Sequence, residues 1–249
     1  HVAPIRETDA DDEARAGGEL EGTVFLAAPT PRSLAYAREL ATRGLRPERV
    51  MVLGGEGEDA RALLDVCAKE DWEVEVIAAG DVNDPAVVAR LAELRPRMVV
   101  YSGFGGQIVA PETLATAEGF LHSHSGWLPH ERGSTTLYYG LLRDGRCAVS
   151  VFLLAPEIDA GGILARRRYA APTAGADVDR EYDAAIRADL LGRVLSVYAA
   201  SRRLPPPLAA ESSAAPMHYV IHPVLKHLAQ LRLGSGAPPC PEKSHVLHS

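Results

Sequence analysis

The chain has 249 residues, of which 47% are hydrophobic and 24% charged, enough for one large domain with a sizeable core or one domain plus a small appendage. The formal net charge of -7 is concentrated at the start, where Glu7, Asp9, Asp11, Asp12, Glu13, Glu19 and Glu21 face only Arg6 and Arg15. The body is near neutral, with neither a basic stripe for nucleic acid nor an apolar run of about 20 residues for a bilayer. Cys67, Cys147 and Cys240 are odd in number and far apart, with no CxxC and no disulfide framework, so a reducing, cytoplasmic setting is expected. No signal-peptide pattern is read, and His1 in place of Met is what a trimmed N-terminus would leave.

Residues 1–21 are acidic and aperiodic and are expected to be disordered or loosely attached. An α/β domain is expected over residues 22–204. Thr23–Ala28 reads as a buried strand and Ser33–Arg43 as a helix ending near Gly44. Val50–Leu53 is a strand closed by Gly54-Gly55, and Asp59–Lys69 a helix with Ala62, Leu63, Leu64 and Val66 on its apolar side. Val74–Ala79 is the next strand. In the helix Asp84–Leu94, Asn83 or Asp84 can cap, Pro85 suits the first turn, and Val87, Val88 and Leu91 form the buried face. Met98–Ser102 follows as a strand, then an apolar run ending at His122 and His124, a helix-like stretch, and a strand over Cys147–Leu154. A helix around Asp177–Ser201 is stopped by Pro205-Pro206-Pro207. Residues 205–249 are rich in Pro and Ala, with one apolar patch over Met217–Leu233, and are expected to be a tail packing partly on the body. Pro223 argues against a regular helix there, and Arg166-Arg167-Arg168 is expected to form a solvated edge.

Strands alternating with helices predict an α/β, doubly wound, mainly parallel sheet with helices on both faces. Sites in such sheets lie beyond the carboxyl ends of the strands. Three loops meet that description: Ser102–Gln107, the stretch after His124, and Ala155–Gly162. On a strand, His122 and His124 share a face, and Asp159 stands in a Gly-flanked loop that could meet them. Imidazoles and a carboxylate converging on loops supply acid–base catalysis or a metal site; for the latter, His122, His124, His130 and Asp159 are the candidate ligands. The first strand–helix turn, Ala27–Ser33, lacks the Gly-x-Gly pattern that cradles phosphate.

The run His122-Ser123-His124-Ser125-Gly126-Trp127-Leu128-Pro129-His130-Glu131-Arg132-Gly133, followed by Asp159-Ala160-Gly161, resembles the signature of the folate-dependent formyltransferases. That signature is Asn-x-His-x-x-x-Leu-Pro-x-x-Arg/Lys-Gly and, some way on, Asp-x-Gly; glycinamide ribonucleotide transformylase and methionyl-tRNA formyltransferase are of this type. The similarity covers roughly residues 50–170. It implies a formyltransferase-type sheet with a short C-terminal extension. It also implies 10-formyltetrahydrofolate as formyl donor and an amine or hydroxylamine of a small metabolite as acceptor. His124 falls on the catalytic histidine and Asp159 on the catalytic aspartate. Gly103, Phe104, Gly105, Gly106, Gln107 and Ile108, with Leu154, Ala155, Pro156, Glu157 and Ile158, fall on the segments that cradle the pterin. No resident metal is implied. The length leaves no room for the C-terminal barrel that methionyl-tRNA formyltransferase uses on tRNA, so neither a nucleic-acid nor a membrane partner is expected; a homodimer is compatible with the sequence.

His122 departs from the signature, standing where the family has Asn. An amide donates a hydrogen bond at every pH, whereas a neutral imidazole donates from one nitrogen and a cation from both. His122 is therefore expected to replace the oxyanion donor, held partly cationic by Asp159. The alternatives are a 10-formyltetrahydrofolate hydrolase, with water as acceptor, and a metal-dependent hydrolase using His122, His124 and Asp159 as ligands.

Overall fold

A computed structural model describes residues 17–209 and 216–233. A single seven-stranded sheet runs in the order β3-β2-β1-β4-β5-β6-β7. The strands are β1 (Gly18–Ala27), β2 (Leu45–Leu53), β3 (Val74–Ile77), β4 (Met98–Ser102), β5 (Phe120–His124), β6 (Arg146–Leu153) and β7 (Ile163–Ala170). The first five are parallel, and β6 lies antiparallel to both β5 and β7. The helices are α1 (Pro31–Thr42), α2 (Glu58–Lys69), α3 (Pro85–Leu94), the short α4 (Pro111–Leu114), α5 (Thr136–Asp144), α6 (Asp183–Ser201) and α7 (Pro223–Arg232). The α/β, mainly parallel architecture expected from the alternation is thus present.

The period of two along β1 builds both layers of the core. Phe25 and Ala27 pack with Tyr36, Leu40, Leu191 and Leu195 of α1 and α6, while Val24 and Leu26 pack with Val87 and Leu91 of α3. Thr30 caps α1 by accepting from the Ser33 N–H, and Asp84 caps α3 by accepting from the Ala86 N–H. These caps hold the chain at the carboxyl edge of the sheet, where the site forms.

Several boundaries differ from expectation. β1 begins at Gly18, inside the acidic stretch expected to be loose, because Gly18–Leu20 pair with Leu45–Pro47. Leu20 and Leu45 are buried while Glu19 and Arg46 face outward, an alternation that the charges mask in the sequence. Pro47 pairs with Leu20 at the register shift of β1 between Leu20 and Val24, where the ladder is interrupted. Residues 1–16 lie outside the described part, as does Cys240; Cys67 and Cys147 are buried free thiols. Pro223 does not prevent a helix but starts one, with His222 Nδ1 accepting from the Val224 N–H. That helix rests on α5. The three arginines on β7 are not simply solvated: Arg166 and Arg168 each lie 4.6 Å from the Trp127 ring centre, and Arg166 donates to the Leu128 carbonyl. Among the described residues, no helix is long and apolar enough to cross a membrane.

Candidate active site

The carboxyl ends of β1, β4 and β5, the β6–β7 loop and residues 217–220 surround a cavity of about 550 Å³. His124, 5% exposed, lies at its inner end. Its Nε2 is 2.7 Å from the Glu131 carbonyl, which can only accept, so Nε2 carries the proton. Nδ1 is therefore the basic nitrogen of the neutral ring, and it stands 3.8 Å from Asp159 Oδ1. Burial lowers the His124 pKa below its ordinary value and Asp159 opposes that, with Arg187 on the side of burial. The ring is held neutral, beside a carboxylate that stabilises its cation.

The two halves of the motif are tied together. Arg132 donates through Nε and Nη2 to the Ile158 carbonyl, and the Gly133 N–H donates to Asp159 Oδ2 at 2.8 Å. Asp159 has φ of +52°, a left-handed conformation that Asp adopts more readily than most residues. Two glycines are required by close approach. A Cβ on Gly161 would lie 1.6 Å from the Leu153 carbonyl oxygen, and one on Gly133 would lie 2.1 Å from that of His218. The second contact comes from the tail: Ser134 N–H donates to the His218 carbonyl and His218 N–H to that of Arg132.

His122 sits on the same wall, its ring against Tyr101 and edge-on to Phe152. Its Nδ1 lies 3.1 Å from the Tyr101 carbonyl and so carries the ring proton. Nε2 of the neutral ring is left as an acceptor. Burial, then the charges of Arg187 and Arg32, hold its pKa well below the ordinary histidine value. The expectation of a partial cation maintained by Asp159 is corrected here: Asp159 pairs with His124, and the groups acting on His122 oppose protonation.

Of the expected pterin loops, Phe104, Gly105, Gly106, Gln107 and Ile108 line the cavity on one side, and Leu154, Ala155, Pro156, Glu157 and Ile158 on another. Gly103 does not line it. It covers the Tyr101 ring, where a Cβ would fall 1.9 Å from the phenol oxygen, and its carbonyl accepts from Arg32. His130 is exposed and away from the cavity, and among the described residues no cluster of three His, Cys, Asp or Glu is arranged for a metal ion.

Several lining groups escaped sequence reasoning. Arg32, in the Ala27–Ser33 stretch read only for its missing glycines, is the second residue of α1. Asp183 and Arg187 come from the first turns of α6, and Met217, His218, Tyr219 and Val220 from the tail. Glu131, buried among the motif residues, accepts from the Trp127 N–H and pairs with Arg143. Only its place inside the motif could have marked it.

The chain is 30% identical over 192 residues to the methionyl-tRNA formyltransferase of Roseiflexus sp. (strain RS-1), covering 76% of this chain and 58% of that protein. It therefore spans less than two thirds of that relative's length. No family model matches the chain. In fold it is similar to a sugar N-formyltransferase from Shewanella sp FDAARGOS_354, with a TM-score of 0.58 at 16% identity over 85% of this chain and 87% of that one. It is also similar to HypX from Aquifex aeolicus, solved in complex with tetrahydrofolic acid, with a TM-score of 0.53 at 15% identity over 87% and 34% of the two chains. In sequence over 192 residues the chain is thus similar to a methionyl-tRNA formyltransferase, and in fold to solved formyltransferases.

Proposed function

We propose that this chain transfers a formyl group from 10-formyltetrahydrofolate to an amine or hydroxylamine of a small metabolite. The observation that carries the proposal is the His124–Asp159 pair, with its basic nitrogen fixed at Nδ1 by the Glu131 carbonyl. The likeness to a methionyl-tRNA formyltransferase and to a fold neighbour solved with tetrahydrofolic acid supports this donor, as does the lining. Ile108 and Ile158 are 58% and 39% exposed beside Phe104, an apolar wall for an aromatic ring system. Gln107 Oε1 is a buried acceptor without a partner, suited to an amino N–H at the edge of such a ring.

The donor supplies an activated formyl group on nitrogen. Attack by the acceptor nitrogen forms one C–N bond, cleavage of the other releases the folate nitrogen, and one proton must pass between the two. His124 Nδ1 takes that proton as the amine attacks, Asp159 stabilises the resulting imidazolium, and the same nitrogen returns the proton to the leaving group. His122, with its proton on the Tyr101 carbonyl, presents Nε2 to an N–H of the incoming amine and aims the amine lone pair. In this reading it is not the partly cationic oxyanion donor first expected of it.

His124→Ala should lower tetrahydrofolate release by about 10²–10⁴-fold, the usual share of a general acid–base, while binding of a folate analogue persists. Unaltered turnover would end the proposal.

A further inference from the structure

Nδ1 of His124 is free to act only because the other ring nitrogen is occupied. Nε2 gives its proton to the Glu131 carbonyl at 2.7 Å, with Thr136 Oγ1 further off at 3.4 Å. A rival acceptor stands on the opposite side of the ring: Asp159 Oδ1 lies 3.8 Å from Nδ1, beyond hydrogen-bond reach but charged. Hydrogen bonds to a carboxylate are stronger than those to a neutral carbonyl. The Glu131 carbonyl therefore keeps the proton on Nε2 only while it stays at hydrogen-bond distance, and it belongs to the irregular loop between β5 and α5.

The Glu131 side chain closes that loop on itself. Its own N–H donates to the Trp127 carbonyl at 3.0 Å, and the Trp127 N–H donates back to Glu131 Oε2 at 2.6 Å, a reciprocal pair of the kind a capping box makes. Glu131 Oε1 accepts from Arg143 of α5, which fixes the turn to the body. Ser150 of β6 holds the residues on either side of Trp127, accepting from the Leu128 N–H at 3.0 Å and donating to the Gly126 carbonyl at 2.6 Å. Glu131 is 2% exposed, whereas the side chain of Arg143 is 52% exposed. A carboxylate buried against a half-exposed partner is a poor source of stability. Glu131 does not line the cavity either, so contact with a substrate does not account for its burial. Gly126 is an independent sign that the contact with His124 is built in: a Cβ there would lie 2.7 Å from the Glu131 carbonyl oxygen and 2.8 Å from His124 Nε2. Gly126 and Glu131 both fall on positions that the formyltransferase signature leaves open.

Building on the formyl-transfer function proposed above, we propose that the Glu131 carboxylate is a positioning residue for His124. It locks the 127–131 turn, so that the Glu131 carbonyl keeps the ring proton on Nε2 and leaves Nδ1 to take the proton of the attacking amine. With the turn loosened, the proton leaves Nε2 for Nδ1 and is shared with Asp159. The nitrogen assigned to proton transfer then has no lone pair to offer.

Nitrogen NMR of the His124 ring reads the tautomer directly, alongside steady-state release of tetrahydrofolate and thermal melting of the same samples. Wild type should show the proton on Nε2. Glu131→Met, close in length but unable to accept from the Trp127 N–H, should shift the ring toward the Nδ1–H form. It should lower kcat by about tenfold or more, with KM for 10-formyltetrahydrofolate within about twofold of wild type. Glu131→Gln, which keeps an oxygen for the Trp127 N–H, should recover part of both losses. Gly126→Ala pushes the same carbonyl aside by contact alone and should reproduce the tautomer shift and the rate loss with the carboxylate intact. A proton on Nδ1 in the wild type overturns the proposal whatever the variants do. So does a folded Glu131→Met or Gly126→Ala that melts lower yet keeps the wild-type tautomer and rate, and so does a rate loss with Nε2–H retained. The tautomer is read without turnover, so this inference and the parent proposal fail separately. Amine formylation unaltered in Glu131→Met removes the lock and leaves formyl transfer standing. A Glu131-dependent Nε2–H in a chain that formylates no amine leaves the lock standing and removes formyl transfer.

Discussion

Adjacent glycines in the β6–β7 loop should respond very differently to alanine. A Cβ on Gly161 would lie 1.6 Å from the Leu153 carbonyl oxygen and 2.8 Å from its carbon, both backbone atoms that cannot swing aside. Atoms that close must separate to about 3 Å, so the loop or β6 has to move by roughly 1.4 Å. Asp159, two residues upstream, moves with the loop. A misplacement of about 1 Å can cost about 10²-fold in rate, and overpacking about 1–3 kcal/mol in stability. For a chain of this size that is a melting-point loss of about 2–4 °C per kcal/mol. Gly162→Ala is the control: its Cβ would meet the Pro207 side chain alone, at an ordinary 3.4 Å from Cγ and 3.5 Å from Cβ. The assay is tetrahydrofolate release under saturating donor, with calorimetric melting on the same samples. Gly161→Ala should lose about 10²-fold in rate and melt several degrees lower, with Gly162→Ala close to wild type. Equal behaviour of the two variants would refute the close-packing account of the Asp-x-Gly segment.

Asp159→Asn removes the charge 3.8 Å from His124 Nδ1 but keeps an oxygen for the Gly133 N–H. The His124 titration, followed by NMR of the ring, should move to lower pH, and an unmoved midpoint would contradict the pairing. Both histidines have folded pKa values below the ordinary 6.5, so the unfolded chain binds more protons in the window between those values and 6.5. Stability should therefore fall as pH drops through that window, by up to about 1.4 kcal/mol per pH unit for each ring. His122→Asn should flatten this dependence in denaturant titrations at pH values below 6.5, and an unchanged slope would show that His122 is not held neutral. Arg132→Met takes away both hydrogen bonds to the Ile158 carbonyl at an exposed position. Turnover should fall at least tenfold, with stability changed by about 1 kcal/mol or less, as measured by steady-state kinetics and urea unfolding.

The proposed catalytic pair is legible in the sequence because it is local twice over. His122 and His124 lie on one strand, where the period of two decides their face, and Asp159 is bracketed by residues whose identities the loop demands. Gly161 and Gly133 are glycine for reasons of contact that leave a motif in the sequence. The other wall of the cavity left none. Arg32 and Arg187 lie 155 positions apart and meet only because α1 and α6 pack side by side on one face of the sheet. Nothing in the neighbours of either residue distinguishes it from a surface arginine. The state of His122 was misjudged for a related reason: its proton is placed by the Tyr101 carbonyl on the adjacent strand, and its charge is suppressed by burial and by two distant cations. Pro223 misled because proline breaks a helix interior but suits a first turn, and the helix begins only at Pro223.

The central claim is tested most directly by following an isotopically labelled formyl group. The chain, 10-formyltetrahydrofolate labelled at the formyl carbon and a panel of small-metabolite amines and hydroxylamines would be incubated together, and the products separated by mass spectrometry. The label is expected on the nitrogen of one amine class, in step with tetrahydrofolate release and lost in His124→Ala. Label appearing only as formate, at the same rate with and without amines, would contradict formyl transfer and make water the acceptor.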